Sequence, residues 1–451
     1  MSTLTFYGGA GEIGGNKILL RSKRAKIYLD FGQPFNFGAD YFYEWLTPRA
    51  ANGLECYFEF DILPRISKLY GRTQLLFTDL PYRKPDVDAV FITHHHADHA
   101  GHLSFLDEDI PVYLGHGTKA IFDAYSALFP MLLDIGEHNS LNLFQSGDRI
   151  KVKDLVVRPI HVEHSAPGAY GFLVDAPGGT IAYTGDFRRH GPKQALTDEF
   201  IEEAAKAKPR VLICEGTRMT PDPERQFDEN QVYEKIKDII ERSKGLVFGE
   251  FSMCNIDRFR SFYNAARDAG RIMVIDTKYA YLIDRLRDKI DLPDPKSDEF
   301  LRVYFKLSKS REFCEADYGK NERGFLGNMI TYREIRESQR DFVMFTGFNK
   351  LMELVYIQPE KADYIFSSSE HFLEGEENRD QRKVLDNWLG HFGIPLHKAH
   401  CSGHASRSDL EYAVRRIAPE ILIPVHTENA AEFRRVHGKV IIPEKGKEIE
   451  I

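Results

Sequence analysis

Cysteine is scarce in this chain. The five present (Cys56, Cys214, Cys254, Cys314, Cys401) are scattered, odd in number and never paired as C-x-x-C. That pattern points to a reducing cytoplasm and away from a disulfide scaffold or a structural zinc ribbon. No apolar run approaches the roughly 18 residues that a membrane-spanning helix requires. The opening Met1-Ser2-Thr3-Leu4-Thr5-Phe6 has no signal-peptide character, so no membrane partner is expected. Internal repeats and low-complexity tracts are also missing. Basic residues are not in excess: 60 Lys and Arg stand against 68 Asp and Glu, a net charge of −8. Overall charge therefore does not announce a nucleic-acid partner, although phosphate contact needs only a local positive surface. The runs Arg21–Lys26, Arg188–His190, Lys306–Arg311 and Arg434–Lys439 are candidates, each reading first as a solvated face. A composition of 42% apolar and 28% charged residues is that of an ordinary globular chain. Its length suggests roughly two to three domains.

Against this plain background one stretch stands out. Val90-Phe91-Ile92-Thr93 runs as an apolar strand into His94-His95-His96-Ala97-Asp98-His99, an H-x-H-x-D-H pattern. Imidazole nitrogen and carboxylate oxygen are what zinc takes in a catalytic site. Crowding four such groups into six residues costs too much desolvation without a purpose. Further ligand-type residues close other apolar runs: Asp30 after Ile27-Tyr28-Leu29, Asp186 after Ile181-Ala182-Tyr183-Thr184-Gly185, and His426 after Ile421–Val425. His164 stands in His161-Val162-Glu163-His164. Strands that deliver functional side chains at their carboxyl ends are how α/β folds build sites on the rim of a sheet. Together these residues are expected to form one metal site.

Gly9-x-Gly11-x-x-Gly14 matches a dinucleotide fingerprint, but that motif needs a helix directly after the glycines. Lys17–Arg21 and Ala25–Asp30 read as paired strands instead, so a nicotinamide cofactor is rejected. The glycines are expected to let the backbone pass close beneath the metals. Residues 35–80 are rich in aromatics (Phe35, Phe37, Tyr41, Phe42, Tyr43, Trp45, Tyr57, Phe58, Phe60). We expect packed core or a subunit contact there, with a base-stacking lid as the alternative. From about Leu212 to residue 394, strands such as Gly245–Gly249 and Arg271–Ile275 alternate with helical spacing, as in Asn255–Ala269. That is a parallel α/β unit with its own core. Beyond it come a helix at Asp409–Ile417, the strand before His426 and a terminal strand at Lys439–Pro443.

These motifs as a set resemble the metallo-β-lactamase superfamily and, within it, the β-CASP nucleases, RNase J most closely. The resemblance is carried by Gly8–Asn16, Asp30, the His94–His99 run, His164-Ser165-x-Pro167 and Tyr183-Thr184-Gly185-Asp186-Phe187-Arg188. Glu215, His404 in Ser402-Gly403-His404-Ala405-Ser406, and His426 match the three extra motifs of the β-CASP group. It spans nearly the whole chain, with poor matching at roughly 35–80 and 300–345. It implies an αββα metallo-β-lactamase sandwich in two parts, 1–210 and 395–451, split by an inserted parallel α/β β-CASP domain at 211–394. It also implies two zinc ions, with manganese as the alternative. One is expected on His94, His96 and His164, the other on Asp98, His99 and His426, with Asp186 bridging both. Asp30 would orient a histidine ligand, and His404, held protonated by Glu215, would serve the leaving oxygen. The Ser402–Ser406 segment would cradle a phosphate through backbone around Gly403.

The implied activity is zinc-dependent hydrolysis of single-stranded RNA, since a histidine at the place of His426 goes with RNA-directed members. A small-molecule metallo-hydrolase and a catalytically dead RNA-binding subunit are the competing readings. Substrate-binding candidates are Ser252, Asn255, Arg258, Ser368 and Ser369, which match the family's 5′-phosphate segments in part. Cys254 and Asp257 depart from that pattern, and the residues after Ser367–Phe372 do not match it. Exonucleolytic 5′→3′ decay and endonucleolytic cleavage, the latter as in the mRNA 3′-end processing factors, both stay open. The family's extra C-terminal domain is not expected within these 451 residues. A homodimer would use another surface.

Overall fold

Consecutive apolar positions in a strand are stable only when both faces of its sheet are covered, and the structure covers them. The structure, a computed structural model, describes residues 2–35, 41–42, 46–49, 52–129, 135–221, 227–369, 373, 375 and 378–451. Six strands come first: β1 (Thr3–Gly8), β2 (Lys17–Arg21), β3 (Lys26–Phe31), β4 (Ala89–Ile92), β5 (Val112–Gly115) and β6 (Leu141–Phe144). Then follow β7 (Ile150–Val152), β8 (Leu155–Val162), β9 (Ala169–Ala176), β10 (Gly179–Tyr183) and β11 (Val211–Glu215). A parallel set, β12 (Val247–Glu250), β13 (Ile272–Asp276), β14 (Leu301–Tyr304), β15 (Met329–Ile330), β16 (Phe342–Thr346), β17 (Asp363–Phe366) and β18 (Leu396–Lys398), is next. The chain ends with β19 (Ile421–Val425) and β20 (Glu448–Glu450).

These strands form three sheets, ordered β20-β1-β2-β3-β4-β5-β6, β19-β11-β10-β9-β8-β7 and β15-β14-β13-β16-β12-β17-β18. The first two face each other. Phe91 enters the core between them, beside Phe172, Ile181, Ile213 and Ile423. Its neighbours Val90 and Ile92 point the other way, into a core with Leu103, Leu114 and Phe122. Leu212 and Cys214 likewise turn away from Ile213 and pack under Phe200 and Ile201 of the helix Gln194–Ala207 and Val414 of the helix Arg407–Ile417. Period-two alternation thus feeds three stacked apolar layers, giving the αββα sandwich. The third sheet, all parallel, has its own core around Phe248, Val274, Met344 and Tyr364.

The described chain divides into two units, Met1–Arg189 with Lys193–Glu224 and Gly403–Ile451, and His190–Pro192 with Arg225–Ser402. The expected boundaries at 210/211 and 394/395 differ from these for reasons of pairing. β11 is hydrogen-bonded between β10 and β19, so residue 211 cannot open the inserted unit. β18 continues the third sheet beside β17, which carries that unit past residue 394. The expected terminal strand Lys439–Pro443 is reduced to a single bridge between Leu422 and Val440. The next two ladder donors would be the amides of Pro424 and Pro443, and proline has none. The strand that closes the chain is β20, on β1. Among the described residues, no helix is long and apolar enough to cross a membrane.

Part of the aromatic segment is core: Tyr57, Phe58 and Tyr70 pack in or against the layer outside the first sheet. Tyr41 stacks on Phe60 at 4.1 Å between ring centroids. Phe37, Tyr43 and Trp45 lie outside the described residues.

Lys17, the first residue of β2, is 1% exposed, and its Nζ donates to Gly15 O at 3.3 Å with the Phe31 ring 5.7 Å away. Burial pulls its pKa down to about 7, against a partial upward pull from Glu12, while Lys445 adds to the fall. A base depressed in the folded state leaves the unfolded chain holding more protons between about pH 7 and 10.5, so folding gains stability as pH rises through that window. Lys17→Met should therefore stabilise the protein at pH 6, by roughly 1–4 kcal/mol on the scale of buried-charge replacements. Its lead over the unaltered chain should shrink by pH 10. Thermal melts of both proteins across that range check this; a difference independent of pH would contradict it.

Candidate metal centre

Each putting-out of a polar side chain at this site begins at a strand end of the first unit. β4 ends at Ile92, and Thr93 then turns the chain into His94, His96 and the four-residue helix Ala97–Ala100, which carries Asp98 and His99. β8 delivers His164, β10 delivers Asp186 and β19 delivers His426. Two groups of side chains result whose ligand atoms all lie within 4.8 Å of one another: His94, His96 and His164, and Asp98, His99, Asp186 and His426.

In the first group His96 Nδ1 stands 3.0 Å from His94 Nε2 and 3.2 Å from His164 Nε2. In the second, His426 Nε2 is 2.8 Å from Asp98 Oδ2 and 3.6 Å from Asp186 Oδ2. His99 Nε2 is 3.1 Å from Asp186 Oδ2 and 3.6 Å from Asp98 Oδ2. For zinc–ligand bonds of 2.0–2.1 Å, a tetrahedral site has edges of about 3.3 Å, and the observed separations bracket that value. Asp186 Oδ2 also lies 3.8 Å from His94 Nε2, so this carboxylate adjoins both groups.

The electrostatics agree. Burial, reinforced by the neighbouring imidazoles, pushes His94 and His164 well below the ordinary histidine pKa, and burial takes His96 to about 4. Burial works to raise Asp98, yet His99 and His426 hold it down at about 2, and Asp186 is held well below the carboxylate range by His426, His99 and His404. Burial also opposes a proton on His99, but Asp186, Asp98 and Asp30 outweigh it and raise that ring. Asp186 Oδ1 is buried and accepts no hydrogen bond. Bare imidazole nitrogens beside ionised, partly unsatisfied carboxylates in a dry pocket suit a cation. The residues fit bound metal.

Around the donors lies a shell of hydrogen bonds. Asp30 Oδ2 accepts from His99 Nδ1 at 2.8 Å and from the Tyr183 hydroxyl at 2.7 Å, while Oδ1 accepts the Thr93 amide at 2.8 Å. Both carboxylate oxygens of Asp30 are thus engaged by donors, one of them the His99 ring, whose orientation they fix. His164 Nδ1 donates to Gly403 O at 2.6 Å. A Cβ on Gly403 would come within 2.5 Å of Ser165 Oγ, so only glycine permits that approach. Gly14 has φ +80°, and a Cβ there would fall 2.9 Å from Asp98 Cβ, which accounts for the glycine-rich turn under the centre.

His404 Nδ1 is 3.5 Å from Glu215 Oε1 and 3.7 Å from Asp186 Oδ2. Burial disfavours its charge, but Glu215 and Asp186 raise its pKa to about 9. Glu215 is buried and accepts the Thr217 amide at 3.0 Å and the Ala405 amide at 3.4 Å. Ser406 caps the helix Arg407–Ile417, its Oγ accepting from Asp409 N. Reading the sequence missed Thr217, whose Oγ1 lies 2.9 Å from His426 Nδ1 and 3.1 Å from His404 Nδ1. It also missed the buried Thr93. Their only signal was position, one residue before or two after a polar strand end.

The substrate-binding candidates Ser402, Ser252, Asn255, Arg258, Ser368 and Ser369 belong to the second unit. Ser252 is exposed, and Ser368 and Ser369 are half-buried. Glu370, His371 and Phe372 lie outside the described residues. Asn255 is spent as a helix cap, accepting the Arg258 amide at 3.0 Å. Arg258 corrects the expectation. It is 0% exposed; its Nε and Nη2 donate to Glu229 at 2.8 and 3.3 Å, and Nη1 donates to Ser367 O and Oγ at 2.7 and 2.6 Å. Nη2 also reaches Cys401 Sγ at 3.4 Å. All five N–H groups are used, leaving none for a substrate phosphate. Arg188 is likewise buried, against Glu163, and is no part of a basic surface.

Asp30→Ala should leave His99, Tyr183 and Thr93 without their common acceptor. Metal affinity should fall by about 10–100-fold, read by zinc competition against a chromophoric chelator. Unchanged affinity in a folded variant would remove the orienting role.

Comparison with known proteins places this geometry. A model described as a beta-lactamase superfamily domain matches residues 66–246, and one described as a Zn-dependent metallo-hydrolase RNA specificity domain matches residues 396–440. Ribonuclease J of Sinorhizobium meliloti is 27% identical over 366 residues, 78% of this chain and 59% of that protein. Ribonuclease J of Pyrococcus abyssi is 24% identical, with 83% of this chain and 82% of that protein covered. A solved structure, a protein of unknown function from Enterococcus faecalis V583, shares the fold with a TM-score of 0.79 at 24% identity, covering 99% of both chains. The chain spans just under three fifths of the length of several of the curated relatives it matches, 59% and 58% for two of them. With the same residue pattern on four strand ends of an αββα sandwich, the chain carries a beta-lactamase superfamily domain and a Zn-dependent metallo-hydrolase RNA specificity domain, and it is similar to ribonuclease J proteins.

Proposed function

We propose that this chain is a metal-dependent ribonuclease that hydrolyses phosphodiester bonds in single-stranded RNA, in the cytoplasm, with two zinc ions as its metals and manganese as the alternative. The observation that carries the reading is His404. It is the accessible histidine of the centre that is not one of the seven donors, with a side chain 20% exposed, and it is backed by the buried Glu215. A hydrolase of small molecules has no need of such a pair. The curated relatives are named ribonuclease J, and the RNA-specificity match at 396–440 includes both His404 and His426.

In this reading His94, His96 and His164 would hold one ion and Asp98, His99 and His426 the other, with Asp186 adjoining both groups of donors. Bound metal supplies Lewis acidity at phosphoryl oxygens and lowers the pKa of its water toward about 7. The protein residues do the rest. Asp30 fixes the ring of His99, and Gly403 O fixes that of His164. Glu215 faces Nδ1 of His404 and keeps the ring protonated, so that its other nitrogen, Nε2, gives a proton to the departing 3′-oxygen and the ring is left neutral. The backbone of Ser402–Ser406 is the phosphate-facing segment. A homodimer, expected from resemblance alone, is read by light scattering of the purified chain.

Internal cleavage is the second reading, favoured by one observation. Arg258, the cation expected to greet a 5′-phosphate, is sealed in a buried ion pair with Glu229. Ser252, Ser368 and Ser369 remain as uncharged candidates for that end. Circular RNA separates the readings, since only an endonuclease opens it.

His94→Ala should abolish RNA cleavage and reduce the zinc content; full activity with intact metal stoichiometry would contradict the ligand assignment. His404→Ala should retain zinc but slow single-turnover cleavage by roughly 10²–10⁴-fold. An unchanged single-turnover rate would remove His404 from the chemistry.

A further inference from the structure

His164 and Asp186 come from strands that do not touch. In the second sheet β9 runs between β8 and β10, so no ladder bond fixes the spacing of the two loops that follow them. What joins those loops is a set of buried contacts that the chemistry above does not use. The Arg188 amide, two residues past Asp186, donates to Glu163 O at 2.7 Å, one residue before His164. Thr197, in the first turn of the helix Gln194–Ala207, is 0% exposed. Its Oγ1 accepts the Glu163 amide at 2.9 Å and donates to Arg188 O at 2.9 Å. The side chains of Glu163 and Arg188, 2% and 0% exposed, face each other at 3.6 Å, and Glu163 Oε1 also accepts the Lys193 amide at 2.9 Å.

We infer that Thr197 is a positioning residue for the metal centre: its hydroxyl pins the His164 loop to the Asp186 loop and so sets the distance between the two donor groups. The hydroxyl is suited to this because it both accepts and donates. One oxygen satisfies an amide on one loop and a carbonyl on the other, while the helix gives it a rigid base. His164 belongs to the three-histidine group and Asp186 to the four-donor group, and their ligand atoms come within 4.8 Å of one another and of His404. A slackened pin would change metal affinity and ligand field before it changed the fold. The inference rests on the metal reading of the centre, and the test separates the two.

Thr197→Val removes the hydroxyl at nearly constant volume, and Thr197→Ser keeps it. Zinc affinity is measured by chelator competition, the ligand field by the visible spectrum of the cobalt(II)-loaded protein, and the fold by circular dichroism and thermal melting. Thr197→Val should bind zinc about 10–100-fold more weakly, the range for groups that support metal ligands, with a shifted cobalt spectrum and a folded chain. Thr197→Ser should restore both. Should the valine variant not fold, Thr197→Ala gives the same comparison with less bulk. A folded valine or alanine variant with unaltered affinity and spectrum, or a serine variant as impaired as the valine one, would overturn the inference while leaving the metal reading intact. An unaltered chain that binds neither zinc nor cobalt would overturn both.

Discussion

Seven imidazole and carboxylate groups share a pocket with almost no water to solvate them, and the rest of the first unit is arranged around that constraint. Charges removed from water must be paired or must hold a metal. The pocket meets the condition by opposition: Asp98 and Asp186 stay ionised against the pull of burial because histidines surround them. His94, His96 and His164 are held below the ordinary histidine pKa chiefly by burial, with neighbouring imidazoles adding to the fall. Neutral imidazole and ionised carboxylate are the forms that bind metal. The protonation states are thus set by burial together with mutual proximity, and proximity is set by strand ends.

Holding those ends requires backbone that a relaxed chain avoids. Asp30 and His426 both have positive φ, 60° and 54°, conformations that cost non-glycine residues on the order of 1–3 kcal/mol. Each is held by its surroundings. Asp30 receives hydrogen bonds from Thr93, Tyr183 and His99, while the His426 amide donates to Gly9 O at 2.8 Å. The glycine-rich turn, β3 and β19, far apart in sequence, are therefore coupled at the centre. The apolar layers on both sides of each sheet supply the stability against which this strain is maintained.

Legibility in the sequence followed how local the physics is. The H-x-H-x-D-H run could be read because its donors lie within six residues on one turn, whereas the αββα layering was an implication of the resemblance, since continuous apolar strands show that both faces are covered but not by what. Arg258 was expected at a phosphate because Cys254–Arg258 matches, in part, a family segment that holds one. Only the fold brings Glu229, Ser367 and Cys401 around it. Arg188 was grouped with Arg189 as surface charge although Glu163, distant in sequence, neutralises it inside. The edges of the inserted unit were misplaced because the apolar run of β11 fits either sheet and the short, polar β18 (Leu396–Lys398) shows no strand pattern of its own. Pattern gives a strand its faces; its partners are decided by tertiary contact.

One accounting of hydrogens ties the shell to the chemistry. Each imidazole has two nitrogens, and the partner of one decides which nitrogen stays bare. Asp30 faces Nδ1 of His99, Gly403 O that of His164, and Thr217 Oγ1 that of His426, so in all three it is Nε2 that faces the centre. His96 instead turns Nδ1 toward His94 and His164. Thr217 has a second lone pair for His404 Nδ1, and its own proton can reach His426 O at 3.4 Å. A single hydroxyl thus touches the rings of both His426 and His404. Gly403 O and Thr217 Oγ1 orient the rings of His164 and His426 without adding charge to a pocket already crowded with it, while Asp30 and Glu215 are the charged partners of His99 and His404.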